Sequence, residues 1–559
     1  MWSQGAAEPA DVHGPEVGQA ITRHLPLTGQ WYTVHLVETC EGAAMAGGSA
    51  TTGVRASLEV EAKYDVEPDA PLPHLTGLPG VATATSDEFS LEAVYFDTDD
   101  LRLRAAGITL RHRTGGTDAG WHLKLPAGKA REEVTVDAEP GQVPPQLAAL
   151  VRSRVRERAL VPVASLSTRR VARRLLSPDG TPLAEVADDT VIGRPLPSGA
   201  ELMWREWEVE LLDGDEDLLH AVHLRLVPAG AAPSGAASKL GRVLPRPSAS
   251  QDAAWWASGK RRRRRPSVGS AVQAHLEEQV TELVARDPQT RRDQPDALHK
   301  MRVATRRLRS ALATFRSLLD RERTDPLRDE LRWLAGVLGA ARDAEVMHAR
   351  LRRLVAAEPD DLVLGKVRDR IDVLMTARHR AAHDAVLDEL DGERYLRLLD
   401  ALDRLVADPP FLPAAGEDAV TALSHLVRRT WRRLDRTMSA AGRAPRGPEQ
   451  EELLHEVRKR AKRTRYAAEA VRPVVGRPAR RYAAAVAELQ ETLGDFQDGV
   501  VTQQVLRELG ARGHRAGENG FTFGRLHALE QGRAEAAVDR WPQARAAVSR
   551  PRLRRWLDQ

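Results

Sequence analysis

The chain has 559 residues, 42% of them hydrophobic and 29% charged, which excludes a disordered polymer and allows two to four folded domains. Its 83 basic and 79 acidic residues leave a net charge of only +4. Any attraction for a polyanion must therefore come from where the cations sit, not from their total. The single cysteine, Cys40, excludes an intramolecular disulfide and a multi-cysteine metal site, and fits a reducing compartment.

Residues 1–54 are rich in Gly, Ala and Thr without a sustained period and read as a poorly ordered extension. Their start lacks a basic segment followed by an apolar one, so no signal peptide is expected. No apolar run reaches the roughly eighteen residues of a membrane span. The expected location is cytoplasmic.

From about 55 to 245 the chain alternates like strands, over 57–66, 91–97, 107–114, 120–126, 132–138, 183–192 and 204–212. Turn material such as Thr114-Gly115-Gly116, Pro178-Asp179-Gly180 and Asp213-Gly214 separates most of them. Residues 145–158 and 215–226 read as helices. Side chains at i and i+2 of a strand point the same way, about 6.5 Å apart. Glu59, Glu61 and Lys63 thus share a face, as do Arg111 and Arg113, His122 and Lys124, and Glu206, Glu208 and Glu210. Asp188 and Asp189 lie in a further strand. Charged alternation is also how a solvated face looks. Here the charges are sorted, with bases alone on some strands and acids alone on others. If the sheet curls shut with this face inward, its lumen suits a metal–polyphosphate complex. Carboxylates would hold a hard cation through oxygen, and Arg and Lys would bind phosphate oxygens.

The join at 246–266 carries Lys260 followed by Arg261 to Arg265 and Pro266. It reads as a solvated linker or as added attraction for a polyanion. From about 267 onward the period becomes 3.6, over 270–286, 294–320, 325–357, 361–390, 393–407, 416–440, 449–471, 478–510 and 522–545. This is an all-helical bundle of two similar halves, because one pattern occurs twice. It reads His299-x-x-Arg302-x-x-x-Arg306-x-x-Arg309, then His455-x-x-Arg458-x-x-x-Lys462-x-x-Arg465. At about 100° per residue these offsets span an arc of roughly 80°, giving a stripe about 15 Å long. Like charges so stacked repel, so a chain that does this twice has an extended polyanion to neutralise. A histidine in each stripe adds a charge that can switch on near neutral pH. Each copy is followed by Leu-Gly-x-x-x-Asp, at Leu338, Gly339 and Asp343 and at Leu493, Gly494 and Asp498. These read as structural turns, the glycines allowing close helix approach and the aspartates pairing with the stripes.

Leu58-Glu59-Val60-Glu61-Ala62-Lys63 resembles the ExExK signature of the CYTH family, the triphosphate tunnel metalloenzymes. The likeness continues in family order through Tyr95 to Thr98, Gly107 to Arg113, Gly120 to Pro126, Glu206 to Leu211, and Ser238-Lys239-Leu240. The duplicated stripes and Leu-Gly-x-x-x-Asp segments resemble the CHAD domain, a helical module that often accompanies CYTH. The chain thus reads as an α+β multidomain protein, with a CYTH antiparallel β tunnel over 55–245 and an all-α CHAD domain over 267–559.

The resemblance implies Mg²⁺ or Mn²⁺ on Glu59, Glu61, Glu208, Glu210 and Asp189, with Asp188 and Glu206 as neighbouring alternatives. It implies phosphate contacts from Lys63, Arg111, Arg113, Lys124, Arg170 and Lys239, and phosphoryl transfer to water with Glu59, Glu61 and Lys63 as the catalytic set. In the helical half it implies polyphosphate binding by His299, Arg302, Arg306, Arg309, His455, Arg458, Lys462 and Arg465. Two functions stay open. One is a metal-dependent hydrolase of triphosphate or polyphosphate, with CHAD docking the polymer. The other is a non-catalytic protein that binds polyphosphate and targets or organises its granules. Nucleic acid is disfavoured as a partner, because only 4% of residues are aromatic, few for base stacking. An adenylate cyclase would need a base pocket that the sequence does not reveal.

Overall fold

The computed structural model describes residues 25–27, 30–32, 54–128, 130–236, 238–244 and 267–558. Most of the extension expected over 1–54, and the run Lys260–Arg265, lie outside the described residues. The chain divides into two compact units, Met1–Ser250 and Gln251–Gln559.

In the first unit β1 (Leu25–Leu27) and β2 (Gln30–Tyr32) form a small antiparallel pair. The remaining strands are β3 (Val54–Glu59), β4 (Glu61–Val66), β5 (Thr83–Asp97), β6 (Thr109–Thr114), β7 (Gly120–Ala127), β8 (Ala130–Val136), β9 (Val161–Leu176), β10 (Pro182–Pro195), β11 (Leu202–Leu211) and β12 (Ala232–Pro233). They make one antiparallel ten-stranded sheet in the order β12-β4-β11-β10-β9-β5-β6-β7-β8-β3. Only Val60 separates β3, which pairs with β8, from β4, which pairs with β11. One run of chain therefore starts on one edge of the sheet and crosses to the other, closing it. The Leu211 amide donates to the Val60 carbonyl at 3.0 Å and secures the crossing.

Which face points inward is decided by two helices. Leu110, Trp121, Leu123, Leu125, Val134 and Val136 pack on Leu147, Leu150 and Val151 of the Pro145–Val155 helix. Tyr64, Val186, Trp207 and Val209 pack on Leu218, Val222 and Leu226 of the Glu216–Leu226 helix. The apolar set is thus covered from outside. Trp121 and Trp207 are fully buried, each contributing on the order of 2–3 kcal/mol. The alternate, charged set is forced inward by the period-2 rule. The tight β6–β7 turn needs glycine, since a Cβ on Gly115 (φ +78°) would lie 2.0 Å from the Ser90 carbonyl oxygen.

Two features depart from the sequence reading. Strand β9 was not foreseen. Its consecutive Arg169-Arg170 and Arg173-Arg174 blur the alternation, and pairing with β5 and β10 on both sides makes it a strand. Strand β5 begins at Thr83 rather than at 91, through a polar, exposed first half.

The second unit is helical. Val268–Arg291, Ala297–Thr314, Arg321–Ala356 and Val367–Asp391 pack in succession, and Ala419–Ala441, Pro448–Ala470, Arg477–Arg515 and Phe521–Val548 repeat the arrangement. The Glu393–Ala407 helix lies between them in sequence. Side chains of Ser267, Asp320 and Asp418 cap three of these helices by accepting backbone N–H bonds. Leu276, Leu283, Met301, Leu308, Leu331, Leu334, Leu338, Leu434, Val457, Val486 and Leu489 belong to the shared core. The two Leu-Gly-x-x-x-Asp segments are not turns. Both lie inside long helices, Arg321–Ala356 and Arg477–Arg515. No described helix is long and apolar enough to cross a membrane.

Candidate functional site

The inward faces of the closed sheet meet in one cavity. Its walls include Glu59, Glu61, Lys63, Arg111, Arg113, Lys124, Arg170, Glu208, Glu210 and Lys239. Strand register explains the grouping. Lys63 stands opposite Glu208, Glu61 opposite Glu210, Arg170 opposite Asp189 and Lys124 opposite Glu133. Lys239 comes instead from a short helix, Lys239–Val243, whose Leu240 and Val243 pack on the inward residues Ala93, Tyr95, Leu166 and Val191.

Two charge networks divide the walls. In the first, Lys239 Nζ reaches Asp189, Glu206 and Glu208 at 2.9, 2.7 and 2.7 Å. The Arg170 guanidinium donates to both Asp189 oxygens, at 2.8 and 2.7 Å, and to Glu208 at 2.9 Å. Lys63 bridges Glu208 and Glu61, the latter at 2.8 Å. In the second, Lys124 Nζ lies 2.6 Å from Glu59 and 3.7 Å from Glu133. His122 Nδ1 contacts Glu133 at 3.0 Å, and Arg111 donates to the Tyr95 hydroxyl at 3.3 Å. Arg113 pairs with Asp118.

These contacts sort the expected residues. Asp189 is fully buried, and both its oxygens are engaged by Arg170 and Lys239. It stands behind the cavity wall and holds two of the cations in place. Glu206, 2% exposed, does the same for Lys239. Asp188 points away and pairs with Arg205 at 2.7 Å. Glu133, Arg131, Tyr95, Thr109, Asp118 and Thr168 also line the cavity and were not singled out from the sequence. The i, i+2 rule that marked the other strands applies equally to Arg131 and Glu133.

Burial and unlike neighbours spread the acidities widely. Burial lifts the Glu59 carboxyl to about 7, with Lys124 opposing and Glu133 adding to the rise. Burial would also raise Glu133, but His122, Lys124 and Arg111 outweigh it and hold that carboxyl below its ordinary range. For Glu208, burial is overcome by Lys239, Lys63 and Arg170. Glu210 stays raised, chiefly by burial. Burial, then Arg111 and Arg170, lower Arg113 to about 9.

The donor set fits a hard divalent cation. Glu61 and Glu210 face each other directly across β4 and β11, a like-charge pairing that destabilises a sheet unless a cation offsets it. With Glu59 and Glu208 they offer carboxylate oxygens alone, the ligands such an ion takes. Oxygens of Asp189, Glu206 and Glu208 lie within 4.8 Å of one another, also a metal-like spacing. There, however, the Lys239 ammonium already contacts all three. The Glu59, Glu61 and Glu210 side of the cavity is the better match, because no one ammonium holds all three there and Glu210 has no ion-pair partner among the described residues.

In the helical unit the two stripes meet where the Ala297–Thr314 and Pro448–Ala470 helices touch. The repeat is visible in the contacts. Arg302 lies 3.4 Å from Asp343, and Arg458 lies 3.4 Å from Asp498. Gly339 sits beneath the Arg302 guanidinium and Gly494 beneath that of Arg458. The histidines differ. His455 Nδ1 contacts Gln497 at 2.9 Å. His299 lines a separate groove with Glu278, Glu282 and Asp296. Arg465 lies 3.4 Å from Glu469 and over the Tyr466 ring.

The glycines give an asymmetric test. A Cβ on Gly339 would meet Arg302 at 3.7 Å, an ordinary contact, whereas one on Gly494 would meet Arg458 at 3.2 Å. Gly339→Ala is expected to raise stability by up to about 1 kcal/mol through helix propensity. Gly494→Ala gains less, because the Arg458 guanidinium must shift. Thermal melts of the two variants check this.

Sequence comparison agrees with this division. The CYTH domain model matches residues 57–224 and the CHAD domain model residues 274–507. The chain belongs to the CYTH–CHAD two-domain family. An uncharacterized protein of Mycobacterium tuberculosis, found in strains H37Rv and CDC 1551, is 38% identical to this CYTH–CHAD protein over 496 residues, covering 86% of this chain and 94% of the relative. Among solved structures, PptA from Streptomyces chartreusis is 23% identical, covering 50% of this chain and 99% of its own, with a TM-score of 0.42. The CHAD domain from Ricinus communis is 25% identical, covering 51% and 92%, with a TM-score of 0.39.

Proposed function

We propose that the CYTH unit hydrolyses the terminal phosphoanhydride of triphosphate or polyphosphate, and that the CHAD unit binds the polymer. CYTH membership supports a triphosphate-related function. The observation that carries the finer reading is the shared cavity, in which cations and carboxylates from strands distant in sequence face one another.

In this reading Lys63, Arg111, Arg113, Lys124 and Arg170 bind phosphate oxygens and orient the chain, with Lys239 securing the acidic side. Glu59, Glu61, Glu208 and Glu210 would hold Mg²⁺ or Mn²⁺, which when bound offsets charge on the phosphates and leaving group. Water attacks the terminal phosphorus, the bridging P–O bond breaks, and the leaving phosphate departs with its oxygen. A carboxylate of the cavity accepts the proton that the water loses. Among the described residues three of the six stripe cations, Arg306, Arg309 and Lys462, pair with no carboxylate, which supports capture of a polyanion. Tethering the polymer raises its local concentration for the hydrolytic unit.

The purified protein is expected to release phosphate from tripolyphosphate with Mg²⁺ or Mn²⁺, and to stop when the metal is chelated. Binding of polyphosphate without any release, across a panel of tripolyphosphate, nucleotides and thiamine triphosphate, would favour the non-catalytic alternative.

A further inference from the structure

Lys462 occupies an unusual position among the stripe residues. It makes no hydrogen bond or ion pair with the described residues. Its helix packs on the Ala297–Thr314 helix, and the charges of Arg306 and Arg302 there, with Arg458 one turn earlier on its own helix, act on it. The aspartates at hand are engaged on the flanks, Asp343 by Arg302 and Asp498 by Arg458, each at 3.4 Å. On its own helix Arg465 follows one turn later, against Glu469 and the Tyr466 ring. The Nε atoms of Arg302 and Arg458 are buried without a partner. In the first copy of the repeat Arg306 holds the position that Lys462 holds in the second.

This node differs chemically from a plain arginine cluster. Guanidinium groups stay charged throughout the usable pH range. A half-buried ammonium among three positive neighbours gives up its proton far more readily. Burial, then Arg306, Arg458 and Arg302, bring Lys462 down to about 7, with Asp498 opposing weakly. An anion laid across the node opposes the repulsion from all three arginines. It supplies the missing acceptors and restores the charged form.

Building on the reading that the CHAD unit binds polyphosphate, we propose that Lys462 makes this binding proton-linked: a phosphate chain spanning both stripes is taken up together with one proton, drawn from solvent onto Lys462 Nζ. The sign follows from linkage. Below about pH 7 the lysine is charged before the ligand arrives and adds no pH dependence to the affinity. Above it the proton must be acquired on binding, and affinity falls by up to about tenfold per pH unit. The internal phosphates of a long chain are fully ionised throughout, so the ligand does not contribute to the change.

The test is calorimetric titration of the full-length protein with long-chain polyphosphate between pH 7.5 and 9, in buffer pairs of different ionisation enthalpy. The native protein is expected to take up close to one proton per bound site near pH 8. Lys462→Arg, which keeps the charge and cannot release it, is expected to take up almost none and to lose less than about twofold in affinity across the range. Lys462→Met, a second variant that removes the group, also binds without proton uptake, but more weakly. Equal proton uptake in Lys462→Arg and native protein, or none in native protein that still binds, would overturn the proposal. Failure of the native protein to bind polyphosphate at any pH would instead overturn the function assigned to the CHAD unit, and the proposal with it.

Discussion

Glu61→Ala is expected to reduce metal-dependent phosphate release by at least about a hundredfold, the scale on which one preorganised charge-stabilising group acts, while leaving the CYTH unit folded. The asymmetry comes from its neighbours. Glu61 lines the cavity with 18% of its side chain exposed, so its loss opens no apolar void. Its partner Lys63 keeps Glu208, so no buried ammonium is stranded. Removing Glu61 also relieves the repulsion with Glu210 directly opposite. Melting temperature should therefore stay within a few degrees of the native value, as for changes that break no core contact (about 0.5 kcal/mol). Phosphate assays with Mg²⁺ and with Mn²⁺, alongside thermal melts, decide the matter. A well-folded variant that still releases phosphate would remove Glu61 from the catalytic set.

Replacing Arg302, Arg306, Arg458 and Arg465 together by alanine should weaken polyphosphate binding by about a hundredfold or more at moderate salt, and flatten the dependence of affinity on salt. Each cation that contacts phosphate releases counterions on binding, so the slope of log affinity against log salt reports how many contacts are lost. The four are not equal. Arg465 is partly satisfied by Glu469 and Tyr466 and contributes least. Arg306, with no carboxylate partner among the described residues, contributes most. Affinity and salt slope both unchanged would exclude the stripes as the binding surface.

Much of the CYTH cavity is legible in the sequence, because a strand's period of two is rigid. Once Glu59, Glu61 and Lys63 alternate, they must share a side. Which side is another matter. A solvated face and a lumen carry the same alternation, and only the helices Pro145–Val155 and Glu216–Leu226, packed on the apolar residues, resolve it. Strand β9 escapes because adjacent arginines mask its period, although the CYTH resemblance implies a phosphate contact from Arg170 within it. Glu133 obeys the same alternation rule as Glu59 but stands outside the ExExK signature and the other segments of the CYTH likeness. The supporting role of Asp189 and Glu206 is set by depth behind the wall, which spacing along a strand does not encode. In the CHAD unit, helical periodicity locates the elements within a few residues. The Leu-Gly-x-x-x-Asp segments read as turns because glycine is a helix breaker in isolation, whereas here both lie within helices and Gly494 clears space for Arg458 of the neighbouring helix.

The crossing at Val60 ties architecture to chemistry. Glu59 and Glu61 stand on either side of the single residue at which the chain leaves one partner strand for another. Deleting or inserting one residue there would turn one acid outward, since a one-residue slip reverses every side chain beyond it. The acid pair and the seam of the cylinder are made by the same short stretch. Fraying that begins at this seam would break up the acid pair while the rest of the barrel still stands.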